Sequence, residues 1–290
     1  MHIEHTYSYT RSNNLSKTLD RFVAAGFQKA ANTSLHTMGR RCGFLNLSGS
    51  YLEVIAIENE SEFSAAATAD DCWVRMHPRP CGMAIAAPDV DQLFQRLRTL
   101  HPTIEPPVRR TRGDDPAGPA AWEFLYLPTV ATPGVQTFAV KYLQRAMGPY
   151  AVTMGNNTVF ALGGLMFCAD QPRENAAQWQ RTLSLLAPCE SIADCHFRWG
   201  PQNLVWWTTE EYHARFRCPW IPSPTSIGAT CALRLLAESL EVATRYFERA
   251  GFTTIRHPAD PHLYIAPDED TGYAFVIEQC SAEEFVRQLE

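Results

Sequence analysis

Leu15 to Phe27 reads LSKTLDRFVAAGF, and Leu240 to Phe252 reads LEVATRYFERAGF. The two align without a gap at an offset of 225 residues, matching Leu15 with Leu240, Phe22 with Phe247 and Ala25-Gly26-Phe27 with Ala250-Gly251-Phe252. A short apolar stretch precedes each. After a loop, each is followed by a strand with Tyr and Val-Ile, Tyr51 to Ile55 in one case and Tyr273 to Ile277 in the other. Internal repetition settles architecture before any residue is given a task. One small unit is used more than once.

In the first copy Leu15, Leu19, Phe22 and Val23 recur at helical spacing and make one apolar face. Asn13-Asn14 offers capping side chains, and Gly26 tolerates the left-handed turn that ends a helix. His2 to Thr10 alternates as a half-buried strand does. Strands are expected around residues 28–35, 42–47 and 51–57, the last two joined by a Ser48-Gly49-Ser50 hairpin turn. The order strand, helix, three strands reads again from Gly82, from Val159 and from Ala229. The fold class is therefore α+β: four βαβββ modules forming two paired, cupped mixed sheets with helices outside. Modules 1 and 2 fill residues 1–150 and modules 3 and 4 fill 151–290. Boundaries between modules are expected at 60–80, 147–157 and 218–226, and Pro106 to Pro119 reads as a loop.

Composition bounds the function. The 290 residues are 46% hydrophobic and carry a net charge of -6. That argues against a nucleic-acid partner, which selects a basic face. No apolar run reaches the ~20 residues of a membrane span, and MHIEHTYSY is not a secretory leader. The nine cysteines form no C-x-x-C pair, and Cys168 and Cys231 sit in apolar runs as buried thiols do. A cytoplasmic protein with no membrane or nucleic-acid partner is expected, with a homodimer left open.

Ile3-Glu4-His5, then His36-Thr37-Met38-Gly39 leading to Leu45-Asn46-Leu47, then Tyr51-Leu52-Glu53 follow one another over the first 60 residues. This combination resembles the glyoxalase-like domains of the vicinal oxygen chelate superfamily, which includes glyoxalase I, extradiol dioxygenases and bleomycin-resistance proteins. The resemblance implies a cup that binds a small, oxygen-rich molecule, an anionic one if an arginine reaches the cup. It also implies a divalent metal (Zn, Fe, Mn or Ni) on the first and last strands of a module, where His5 and Glu53 stand. The implied activity is that of a metal-assisted lyase, isomerase or dioxygenase, with Glu53 as ligand or general base. The alternative is a metal-free protein that sequesters its ligand. The offset of 225 puts Thr230 at the position of His5, and matching Tyr51 with Tyr273 puts Phe275 at that of Glu53, so the inherited ligand set is incomplete.

Four further residues are candidates for substrate binding. His36 follows the first loop, and Arg41 and Arg112 belong to basic clusters whose guanidinium forks suit carboxylates. Trp122, on a module-2 strand, is read as a pocket wall. Trp179 reads as core, and consecutive Trp206 and Trp207 must face opposite sides of their strand.

Overall fold

Asn14 caps the first helix as expected, its side chain accepting from Lys17 N at 3.1 Å, and Gly26 ends it at φ +92°. The computed structural model describes the chain except residues 32, 37, 78, 81, 113, 114, 116, 145–152, 218–227, 257–260 and 290, and the side chains of 36, 69, 70, 288 and 289. Its first part runs β1 (Ile3–Tyr9), α1 (Leu15–Ala24), β2 (Gln28–Lys29), β3 (Ser34–His36), β4 (Arg40–Leu47), β5 (Ser50–Ile57), α2 (Glu60–Ala66) and α3 (Ala69–Met76). Next come β6 (Gly82–Ala86), α4 (Val90–Leu97), β7 (Val108–Arg110), β8 (Trp122–Tyr126) and β9 (Gln136–Tyr142). The second part continues with β10 (Val159–Cys168), α5 (Pro172–Ser184), β11 (Cys189–Ala193), β12 (His196–Trp199), β13 (Gln202–Trp207) and α6 (Thr209–Phe216). It closes with β14 (Ala229–Ala237), α7 (Leu240–Arg249), β15 (Thr254–Arg256), β16 (His262–Ile265), β17 (Phe275–Gln279) and α8 (Ala282–Leu289).

The strands form two mixed sheets. One has the order β2-β4-β5-β1-β6-β9-β8-β7, with β3 on β4, and the other β11-β12-β13-β10-β14-β17-β16-β15. Antiparallel central pairs, β1 with β6 and β10 with β14, are flanked by parallel pairs. Three expectations change. Residues 60–76, read as a boundary, are two helices; Asn59 caps one and Thr68 the other. The loop from Pro106 contains β7. Helix α6 follows β13, in a stretch to which the apolar pattern assigned no element. The boundary at 218–226 lies outside the described residues, as does most of that at 147–157.

The repeated stretch turns out to be the seam between the halves. Phe22 lies 5.5 Å from Phe252, and Phe27 lies 5.8 Å from Phe247. Since Phe22 matches Phe247 and Phe27 matches Phe252, each contact is the other seen from the second copy, as across a two-fold axis. One buried core runs from α1 and α4 to α5 and α7 and the sheet faces they cover. Burying each ring is worth about 1.5–3 kcal/mol. The nearby Arg21–Asp268 pair, at 2.6 Å with a partly exposed guanidinium, adds roughly 1 kcal/mol at most. Apolar burial dominates the seam.

Candidate functional site in the N-terminal cup

Ile3 packs into the helix-side core, yet His5 and Tyr7 line a cavity on the other face of the same strand. Strict alternation forbids this, and the pairing explains it. Ile3 lies opposite Ile85 while His5 lies opposite Ala84, so Glu4 is an extra residue in β1. A bulge of this kind re-aims side chains. It brings neighbours Glu4 and His5 together, with Glu4 Oε2 3.3 Å from His5 Nδ1. Glu53 reaches the ring from β5, its Oε2 3.2 Å from Nε2.

The imidazole is buried, stacked on Tyr51 at 4.4 Å and met edge-on by Phe138 at 5.8 Å. Burial alone would push its pKa down. The two carboxylates outweigh that and raise it to about 9, so His5 is an imidazolium at neutral pH. Burial and the neighbouring Glu53 push the Cys42 thiol well up, which keeps it protonated and a poor nucleophile. Tyr7 donates to Gln136 Oε1 at 2.5 Å. Its ring lies over Gly82, where a Cβ would come within 2.0 Å of it.

The Ser48–Ser50 turn sets the register of the facing strand. Phe44 lies opposite Glu53, Cys42 opposite Ile55 and Arg40 opposite Ile57. Paired residues share a face, so Arg40, Cys42 and Phe44 look into the cup with Glu53. Arg40 Nη1 donates to Tyr9 Oη at 2.8 Å and to Asp71 Oδ1 at 3.2 Å, while its buried Nε has no partner among the described residues. From the other edge, Arg110, Trp122, Phe124 and Tyr126 complete a cavity of about 130 Å³.

His5 and Glu53 thus meet as expected, and Trp122 is part of the wall. Arg41 does not line the cavity. Lying between Arg40 and Cys42, it points to the opposite face and pairs with Glu58 at 2.5 Å. Arg112 also stays outside the lining, exposed and 5.4 Å over the Trp122 ring. The side chain of His36, at the end of β3, lies outside the described residues. Sequence reading missed Glu4 and Asp71, and from the clusters Arg40-Arg41 and Arg109-Arg110-x-Arg112 it took Arg41 and Arg112 where the cavity is lined by Arg40 and Arg110. Counting back from the hairpin turn would have chosen Arg40 over Arg41, whereas the bulge and the helix carrying Asp71 gave no such signal.

The C-terminal half backs this site. Tyr273 Oη lies 3.0 Å from the carbonyl of Thr6 and 2.8 Å from that of Glu53, touching both strands that carry the imidazole and its carboxylate. Gln202 holds the backbone of Ile3 through contacts of 3.1 and 3.2 Å.

The lining does not suit the expected metal. The strands facing His5 and Glu53 present Gly82, Ala84 and Phe138, which have no donor atoms, and Gln136 Oε1 is taken by Tyr7. Both imidazole nitrogens already face carboxylates. Among the described residues no group of three or more His, Cys, Asp or Glu side chains is arranged to hold an ion.

Two mixed sheets carrying helices make this an α+β fold. A model of the glyoxalase-like domain family matches residues 3–183, and the chain belongs to that family. No curated protein matches the sequence. Solved structures share the fold. A hypothetical protein from Staphylococcus aureus is 8% identical with a TM-score of 0.57, over 96% of this chain and 98% of that one. A xylose isomerase-like TIM barrel/4-hydroxyphenylpyruvate dioxygenase fusion protein is 10% identical with a TM-score of 0.56, over 99% of this chain and 51% of that one. A mutant of 4-hydroxymandelate synthase from Streptomyces coelicolor is 12% identical with a TM-score of 0.54, over 99% and 96%. Among the described residues no helix is long and apolar enough to cross a membrane.

Proposed function

We propose that the N-terminal cup binds a small, oxygen-rich anion and transfers a proton on it without a metal, in a reaction of lyase or isomerase type. Residues 1–150 and 151–290 act as two glyoxalase-like domains, the first holding the ligand and the second supporting its strands. The observation that carries this reading is the buried row Glu4–His5–Glu53 opening on a hollow with aromatic walls. Glu53 is the base. Removing a proton beside a carbonyl needs a carboxylate fixed in place and shielded from water, and Glu53 is both held and buried. The imidazolium of His5 orients it and supplies a compensating positive charge in a low-dielectric setting.

A metal-free sequestering protein is the second reading, favoured by the aromatic lining, which would hold a ligand without turnover. Solvent-deuterium exchange separates the two. A panel of small keto and hydroxy acids is incubated with chelator-treated protein in D2O and followed by NMR. Exchange at the carbon beside the carbonyl that is lost in Glu53→Gln, with binding retained, is the expected result. Binding without exchange supports sequestration, and the absence of binding by any member overturns both.

A further inference from the structure

The cup has two chemically distinct ends. Glu4, His5 and Glu53 lie at one. Arg40 stands four residues along the β4–β5 ladder from the Phe44–Glu53 pair, about 13 Å at ~3.3 Å per residue. Tyr126 locates the second guanidinium. Its hydroxyl is raised in pKa by burial, a rise that the charges of Arg110 and Arg40 oppose. The two arginines, carried by β4 and β7, line the same cavity. Asp71 answers Nη1 of Arg40 and fixes its orientation, and Nη2 contacts the sulfur of Met38 at 3.1 Å. One buried donor of Arg40, its Nε, is left over. Phe44, Trp122, Phe124 and Phe138 wall the space between the two ends. The cavity of about 130 Å³ is close in size to the apolar cavities of about 150 Å³ that admit one benzene ring.

We infer that the ligand is a planar, single-ring carboxylate, its carboxylate taken by Arg40 and Arg110 and its ring lying against the aromatic wall toward His5 and Glu53. This rests on the N-terminal cup being the ligand site and adds the class of molecule that fills it. A carboxylate offers the paired acceptors that guanidinium forks select.

Isothermal titration of the full chain with benzoate and benzamide tests the inference, because the pair differs in charge at nearly constant shape. Benzoate is expected to bind ~10- to 100-fold more tightly, as for a charge-assisted hydrogen bond. That preference is expected to disappear in Arg110→Gln, a change at an exposed position that leaves the core alone. Arg40→Gln should act in the same direction, and if it does not fold, Arg110→Gln still decides. Equal affinity for acid and amide, or an unchanged preference in Arg110→Gln, overturns the inference while leaving the cup as the site. Should neither compound bind, the inference also falls, and the cup reading is decided separately by the keto- and hydroxy-acid panel.

Discussion

The two halves share strand order and a duplicated helix, yet their cups are filled differently. In the second, α6 lays Tyr212 and Phe216 against Met166, Cys168 and Val276. The charges left beside them satisfy one another, with Arg234 pairing through two contacts with Glu278, which also meets His262 at 3.3 Å. The remaining hollow is wider, about 360 Å³. In the first cup, α2 and α3 cover only one end, placing Phe63 and Val74 on Tyr9, Ile55 and Ile57. Its polar row and two arginines face the space that remains. A duplicated scaffold thus supplies two cups, and the helix after the last strand of the leading module decides how each is filled.

The sharpest way to break this contrast is to strip the aromatic packing from the second cup. Tyr212 is fully buried, so Tyr212→Ala should cost about 3–5 kcal/mol in urea unfolding, the range for losing a buried aromatic ring. Binding in the first cup should survive wherever the protein remains folded. A loss below about 1 kcal/mol would mean that α6 does not fill the cup.

Opposite pH limbs should distinguish the cups next. Burial opposes ionisation of Glu278, but His262 and Arg234 outweigh it and lower its pKa from 4.5 to about 2. Its contribution is therefore present above pH 4.5 and lost as pH falls toward 2, on the order of 2–3 kcal/mol. His5 has the reverse sign. With its pKa raised from 6.5 to about 9, it stabilises the fold below pH 6.5 and loses that contribution as pH rises through 9. Unfolding midpoints across pH should show Glu278→Gln flattening the acid limb and Glu53→Gln the alkaline one. An alkaline limb unchanged by Glu53→Gln would dissolve the proposed row.

The smallest effect should come from the residues turned away from the cavity. Arg41→Gln and Arg112→Gln are expected to change stability by no more than about 0.5 kcal/mol, as at most exposed sites. Ligand affinity should also be unmoved. A tenfold loss of affinity in either would return that arginine to the site.

What the sequence disclosed followed from period, repetition and a family resemblance. The AGF duplication located two helices, and the likeness to glyoxalase-like domains placed His5 and Glu53 in one cup. Arg40 was within reach of the same reasoning, since the hairpin turn fixes which face of β4 joins Glu53. Glu4 was not, because a single-residue bulge leaves no periodic trace. Nor was Asp71, whose helix is short and has an Ala- and Asp-rich neighbourhood that reads equally well as a linker. The filling of the second cup depends on how α6 docks, a tertiary choice that the local pattern of Thr209 to Phe216 does not carry.

Two methionines report on the two cups directly, since Met38 lines the first cavity and Met166 the second. Methyl-labelled methionine NMR during titration with small oxygen-rich acids, benzoate among them, should shift the Met38 signal and leave Met166 in place. A shift confined to Met166, or no shift at either while a ligand is demonstrably bound, would contradict the assignment of the N-terminal cup as the working site.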